Sequence, residues 1–310
     1  MALAAAPAQA AFPGVPGPLA FSHADFNEEG DSGGLLSHGP RKKDALRELT
    51  DNPNDSSPSY SPNGRLIAFS SNRDPGETHG THIYLMNRDG SGIKQLTSGE
   101  FFDSNPSFSP SGNSIVFDRG GLQGGKTHIF NVSVDGSGLR RISDEAGSDY
   151  DPTYTPDGKL IVFVSNRGSS GRTDRSNILS MKPDGSQVRV LIGGPRNEFD
   201  PDISPNGRKI AFSSNRDHGP NLFVARMSGK HVVELTHSRH DCFGSACYTN
   251  PAWSPDGKHI AFLASGSSSS SVDVMRGDGR GFSKEFDEGG TEEEGFGSHV
   301  GAPSWGPRPR

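Results

Sequence analysis

The 310-residue chain has only two cysteines, Cys242 and Cys247, and only 30% of its residues are hydrophobic. So little sulfur excludes a disulfide-dense scaffold. No apolar run approaches the roughly 18 residues needed to span a bilayer, so no transmembrane segment is expected in this stretch. Basic residues are not in excess either. A net charge of -6 argues against a nucleic-acid partner, because phosphate binding needs clustered Lys and Arg.

What is abundant is turn chemistry. Gly 41 and Pro 23 fit many short strands joined by tight turns, since long helices tolerate few such breakers. These residues are ordered in a repeat: Pro58-Ser-Tyr-Ser-Pro-Asn-Gly64, Pro106-Ser-Phe-Ser-Pro-Ser-Gly112 and Pro152-Thr-Tyr-Thr-Pro-Asp-Gly158. Pro201-Asp-Ile-Ser-Pro-Asn-Gly207, Pro251-Ala-Trp-Ser-Pro-Asp-Gly257 and a shortened Pro303-Ser-Trp-Gly-Pro307 follow. The anchoring prolines are 48, 46, 49, 50 and 52 residues apart, a period close to that of propeller blades.

Each copy predicts four strands. The short innermost strand carries the aromatic or Ile, and Ser61-Pro62-Asn63-Gly64 and its equivalents suit a type I turn. An apolar second strand follows, such as Leu66–Phe69, unalternated because neighbouring blades cover both faces. After a third strand such as Ile83–Met86, Asp89-Gly90, Asp135-Gly136, Asp184-Gly185 or Asp278-Gly279 turns the chain into the outer strand. At the ends, Trp305 lies in an inner strand without successors, and Pro18–Ser22 resembles a second strand without a predecessor. The two ends are therefore expected to share a sixth blade and close the ring, removing exposed sheet edges.

These repeats resemble the TolB-like six-bladed β-propeller family, whose recognisable core is the Ser-Pro-Asp-Gly element. Ser70-Ser71-Asn72-Arg73-Asp74 and Ser213-Ser214-Asn215-Arg216-Asp217 are similar to that family as well. The resemblance spans residues about 18 to 310 and implies an all-β propeller in residues 11–310. The α/β domain of the family's namesake and the hydrolase domain of prolyl-oligopeptidase-type propellers are not expected within these residues.

Residues 1–10 are read as the remnant of a signal peptide, with Ala8 and Ala10 suiting cleavage before Ala11. The protein is accordingly expected to be exported to the periplasm, cell surface or medium. In that setting Cys242 and Cys247 suit a local disulfide; a zinc site with His237 and His240, or free thiols, is the alternative.

Several motifs mislead. Gly120–Thr127 matches the phosphate-binding loop letter for letter, yet a strand, not a helix, is expected after it. Gly30-Asp31-Ser32-Gly33-Gly34 resembles a serine-protease nucleophile motif; here it is read as a turn-forming loop of the closing blade. His79, His82, His128 and His218 form no metal-binding pair, and the six carboxylates of Glu285–Glu294 read as a solvated loop insertion.

One feature recurs in register. Asp55, Asp103 with Asn105, Asp149 with Asp151, Glu198 with Asp200, and Asn250 stand just before the expected inner strands. They would ring one mouth of the axial channel, surrounded by Asn72, Arg73, Asn166, Arg167, Asn215 and Arg216. A shielded ring of carboxylates favours a cation or a basic partner. The competing reading is local, because Asp and Asn also satisfy backbone N–H groups in turns.

The sequence thus points to a monomeric, non-catalytic module that binds a protein or peptide, with a basic segment, through this acidic mouth. Two alternatives stand beside it. One is a metal-assisted lyase or hydrolase on a sugar or lactone. The other is a structural Ca²⁺ held by the channel Asp residues.

Overall fold

The computed structural model describes residues 12–25, 32–39, 44–73, 80–167, 175–194, 196–217, 219–238, 247–266, 270–287 and 298–309. They form six antiparallel sheets, five four-stranded and one assembled from both ends of the chain. The inner strands of blades 1 to 5 are Ser56–Tyr60, Phe101–Phe108, Asp149–Tyr154, Glu198–Ile203 and Cys247–Trp253. In blade 6 the second strand, Pro16–Asp25, pairs with both Ser298–Val300 and Ser304–Pro307, so the two ends clasp the ring shut.

The core repeats with the blades. Phe21, Phe69, Phe117, Phe163, Phe212 and Phe262 occupy one register of the second strands, and each is 0% exposed. Burying such a ring stabilises the fold by roughly 2–3 kcal/mol, so the six together tie every blade to its neighbours. Between inner and second strands the expected tight turns form. Gly64, Gly112, Gly158, Gly207 and Gly257 each donate a 2.8 Å hydrogen bond to the carbonyl three residues back. All five have φ between 67° and 73°, which explains Gly there.

The inner strand is bulged immediately before its proline. Ladder register shifts between Ser56 and Ser59, Ser104 and Ser107, Tyr150 and Thr153, Phe199 and Asp202, and Thr249 and Ala252. Proline has no N–H to give the ladder, so a bulge is where it fits. Ser57, Asn105, Asp151, Asp200 and Asn250 at these bulges have φ of 50–55°, the left-handed region that Asn and Asp tolerate best.

Three expectations need correcting. Asp103, Asn105, Asp149, Asp151, Glu198, Asp200 and Asn250 lie inside the inner strands, not before them; Asp55 alone precedes its strand. The strands extend further because the bulge absorbs the proline without ending the pairing. Ser32-Gly33-Gly34 belongs to the third strand of blade 6, not to a loop. A Cβ on Gly34 would lie 2.0 Å from the Thr50 carbonyl oxygen, so these glycines serve close strand packing. Glu285–Asp287 falls in the outer strand of blade 5, not in an insertion loop. Residues 1–11, on which the signal-peptide expectation falls, residues 288–297, Gly30, Asp31, His79, His218, His240 and Cys242 lie outside the described residues. Gly120 and Gly121 end one strand and His128 begins its antiparallel partner, so Gly120–Thr127 is a strand connection, as expected.

Candidate functional site

The recurrent polar residues separate into two registers, two positions apart. The first comprises Asp55, Asp103, Asp149 and Glu198, whose side chains are all 0% exposed. Each meets an arginine. Arg73 pairs with Asp55 and Arg167 with Asp149, while Arg119 grips Asp103 through two bonds of 2.6 and 2.7 Å. Arg216 lies 2.7 Å from Glu198. The guanidinium groups also sit 5.0–5.6 Å from the second-strand rings of Phe69, Phe117, Phe163 and Phe212. Phenylalanine, arginine and carboxylate thus form one stack in each of blades 1 to 4, combining cation–π and charge-assisted contacts.

Burial raises the pKa of Asp55, Asp149 and Glu198, opposed by hydroxyl hydrogen bonds and by the paired arginines. These residues therefore do not form the mutually repelling ring expected at the mouth: each is neutralised within its own blade. The flanking amides are also occupied. Asn166 accepts from Ser148 N–H and Asn215 from Asn197 N–H, both at 2.9 Å, while Asn72 is exposed.

The second register runs between blades. Ser57 Oγ donates to Asn105 at 3.2 Å, and Asn105 Nδ2 donates to Asp118 and Asp151, both at 2.8 Å. Asp151 N–H donates to Asp118 at 3.0 Å, Asp200 N–H donates to Asp151, and Asn250 N–H donates to Asp200 at 3.1 Å. A belt of side-chain acceptors and bulge N–H donors therefore crosses five blades along the channel wall. Among the described residues no Lys or Arg pairs with Asp118, Asp151 or Asp200, unlike the first register. Burial pushes Asp118 up to about 7, and the charge of Asp103 adds to it. Burial also pushes Asp200 up to about 7, and Asp151 rises well above its ordinary value through burial and the charges of Asp200 and Asp118.

Between the registers, one residue per blade occupies the rim: Ser56, Ser104, Tyr150, Phe199, Thr249 and Gly301, all half-buried. Two of the six are aromatic. Tyr150 and Phe199 line a groove of about 470 Å³ on the loop side of blades 3 and 4, together with Asn166, Arg175, Ser176, Asn197 and Asn215.

Sequence reasoning missed Asp118, Arg119, Tyr150, Phe199 and Arg175. Blade 2 lacks the Asn-Arg loop of blades 1, 3 and 4 and supplies Arg119 from within its second strand. The visible signal was Asp118-Arg119 directly after Ile115–Phe117, where blade 1 has Ser70-Ser71.

No metal centre is assembled among the described residues: no three His, Cys, Asp or Glu side chains converge. Asp118 and Asp151 are already held by the Asn105 amide, a donor where Ca²⁺ would need oxygen ligands. His237 is exposed and faces Glu234 at 3.4 Å. Cys247 opens the inner strand of blade 5 and is buried.

The fold and its channel define a six-bladed propeller whose distinctive polar chemistry lies at one mouth and along the channel wall. The TolB beta propeller domain model matches residues 52–242, more than half of the chain, and the chain belongs to that family. No curated protein matches it significantly. Among solved structures, TolB from Acinetobacter baumannii superposes with a TM-score of 0.76 at 21% identity, covering 94% of this chain and 67% of the other. The putative TolB from Agrobacterium tumefaciens gives 0.68 at 20% identity, covering 93% and 99%. Hydrazine synthase from Kuenenia stuttgartiensis gives 0.70 at 17% identity, covering 96% and 48%. These likenesses carry the fold.

Proposed function

We propose that the protein is a non-catalytic interaction module that takes a protein or peptide segment at the loop-side mouth of its channel. The observation that carries this reading is the trio Asp118, Asp151 and Asp200, buried along the channel wall beside the groove of Tyr150 and Phe199 without a cationic partner among the described residues. A Lys or Arg from the incoming segment would ionise these carboxyls and release protons, while its apolar neighbours cover the two rings. Four small residues at the remaining rim positions leave room for a chain to enter. Export, and a disulfide between Cys242 and Cys247, belong to the same proposal.

The test uses Asp151→Asn with Asp200→Asn, which keeps the belt's acceptors but removes the charge. The expected result is capture of a partner from envelope or secreted fractions by the parent protein and loss of it by the variant. Capture should also strengthen between pH 6 and 8, as the carboxyls ionise. Equal capture by both folded proteins would overturn the proposal.

A further inference from the structure

A second cavity lies at the opposite ends of the strands, on the side of the Ser-Pro turns. It occupies the seam between blades 4 and 5 and has a volume of about 520 Å³. Its lining includes Trp253, Lys209, Lys258, His259 and Arg276, against a single carboxylate, Asp278. In a chain of net charge -6, this local excess of positive charge runs against the whole.

The cations are available. Lys209 stands where blade 1 has Leu66, and no carboxylate pairs with it among the described residues. Its ammonium lies 5.9 Å from the centre of the Trp253 ring. Lys258 and Arg276 meet Asp256 and Asp278 only at 3.7 and 3.6 Å, in exposed contacts that water weakens.

The floor is specialised too. Trp253 packs against Gly277, where a Cβ would lie 2.5 Å from its ring carbon Cζ3. Blades 1, 2 and 4 carry Arg88, Val134 and Met227 after their third strands, so the glycine is what admits the indole here. Trp305 holds the equivalent position in blade 6 and donates its indole N–H to the Gly17 carbonyl at 3.1 Å. Trp253 is 2% exposed, yet its Nε1 has no acceptor among the described residues. A buried donor left unpaired is unfavourable, and an oxygen brought into the seam would relieve it.

We infer that the seam between blades 4 and 5 binds a small anion-bearing molecule, its phosphate or carboxylate oxygens held by Lys209, Lys258 and Arg276. Its entry supplies Trp253 with an acceptor, directly or through a water. This site is independent of the channel mouth.

Trp253 and Trp305 are the chain's two tryptophans and give two indole N–H signals in a ¹H–¹⁵N spectrum, told apart by a Trp305→Phe variant. Inorganic phosphate, citrate and, as a neutral control, glucose are titrated at constant ionic strength. The expected result is a saturable shift of the Trp253 signal with phosphate or citrate and none with glucose. A response to only one anion assigns the ligand class; a response to both assigns the shared anion chemistry. Lys209→Ala and Arg276→Ala, both at exposed positions, should each weaken the midpoint about tenfold while the rest of the spectrum is preserved. A shift that never saturates, an unchanged midpoint in both variants, or no movement with either anion would overturn the inference. The Asp151→Asn/Asp200→Asn protein should titrate like the parent, which separates this test from that of the channel mouth.

Discussion

Asp149 and Asp151 stand two residues apart on one strand, as do Glu198 and Asp200, yet each pair has divided surroundings. The first member of each faces an arginine of its own blade, stacked on that blade's phenylalanine. The second sits at a bulge and reaches the next blade, accepting a backbone N–H instead of a guanidinium. A carboxylate paired with arginine is a device of cohesion within the sheet. A carboxyl held by amides joins neighbouring sheets and keeps its charge in reserve. The comparison separates acids paired with arginine from acids held by amides, which residue type alone does not.

The largest effect is expected from unbalancing the first register. Arg119→Ala leaves Asp103 buried without its two-pronged partner and should lower stability by about 3–5 kcal/mol, read from chemical denaturation. Arg119→Lys should recover only part of this, because an ammonium cannot make the paired contact.

The second register should respond to pH in the opposite sense from ordinary carboxylates. Asp118 and Asp200 have folded pKa values of about 7 against an ordinary 3.8, so the folded protein holds more protons between those limits. The contribution of these two groups to stability is therefore greatest below about pH 4, falls as pH rises through 7 and levels off above it. Asp151→Asn with Asp200→Asn should flatten much of that slope and make the variant more stable than the parent at pH 8, on the order of 2 kcal/mol. A stability difference between variant and parent that does not grow from pH 5 to 8 would contradict this account of the belt.

A smaller effect on the fold, but a large one on binding, is expected at the rim. Tyr150→Ser and Phe199→Ser restore the small residues of the other blades and should cost about 1 kcal/mol or less, since both residues are only half-buried. Partner capture should fall at least tenfold in the pair. The smallest effect is reserved for the exposed Lys159–Asp157 contact at 3.5 Å, where Lys159→Ala should change stability by less than about 0.5 kcal/mol.

The fold was legible because its cause is repetition. Pro58 and its successors recur at a blade's period, and the phenylalanines from Phe21 to Phe262 follow the same rhythm, so local turn chemistry and burial agree in every copy. The clasp of the two ends was legible as well, since Trp305 and Phe21 supply complementary fragments of one blade. The site was legible only as a list. Asp55 through Asn250 were found in register, but their division into two layers depends on the bulge before each proline, which turns one side chain into the sheet and the other toward its neighbour. Arg119 escaped the pattern because it reaches Asp103 from within a strand, not from the loop used by Arg73, Arg167 and Arg216.

The sequence by itself determined the number of blades, the turns between strands and the register of the polar residues, all consequences of local preference repeated at a fixed period. Tertiary structure alone decided which carboxyls are paired, which lie along the channel wall without a cation among the described residues, and where Tyr150 and Phe199 share a groove or Lys209 faces Trp253. Those outcomes depend on distances between chain segments from 16 to 50 residues apart and on how much water remains between them.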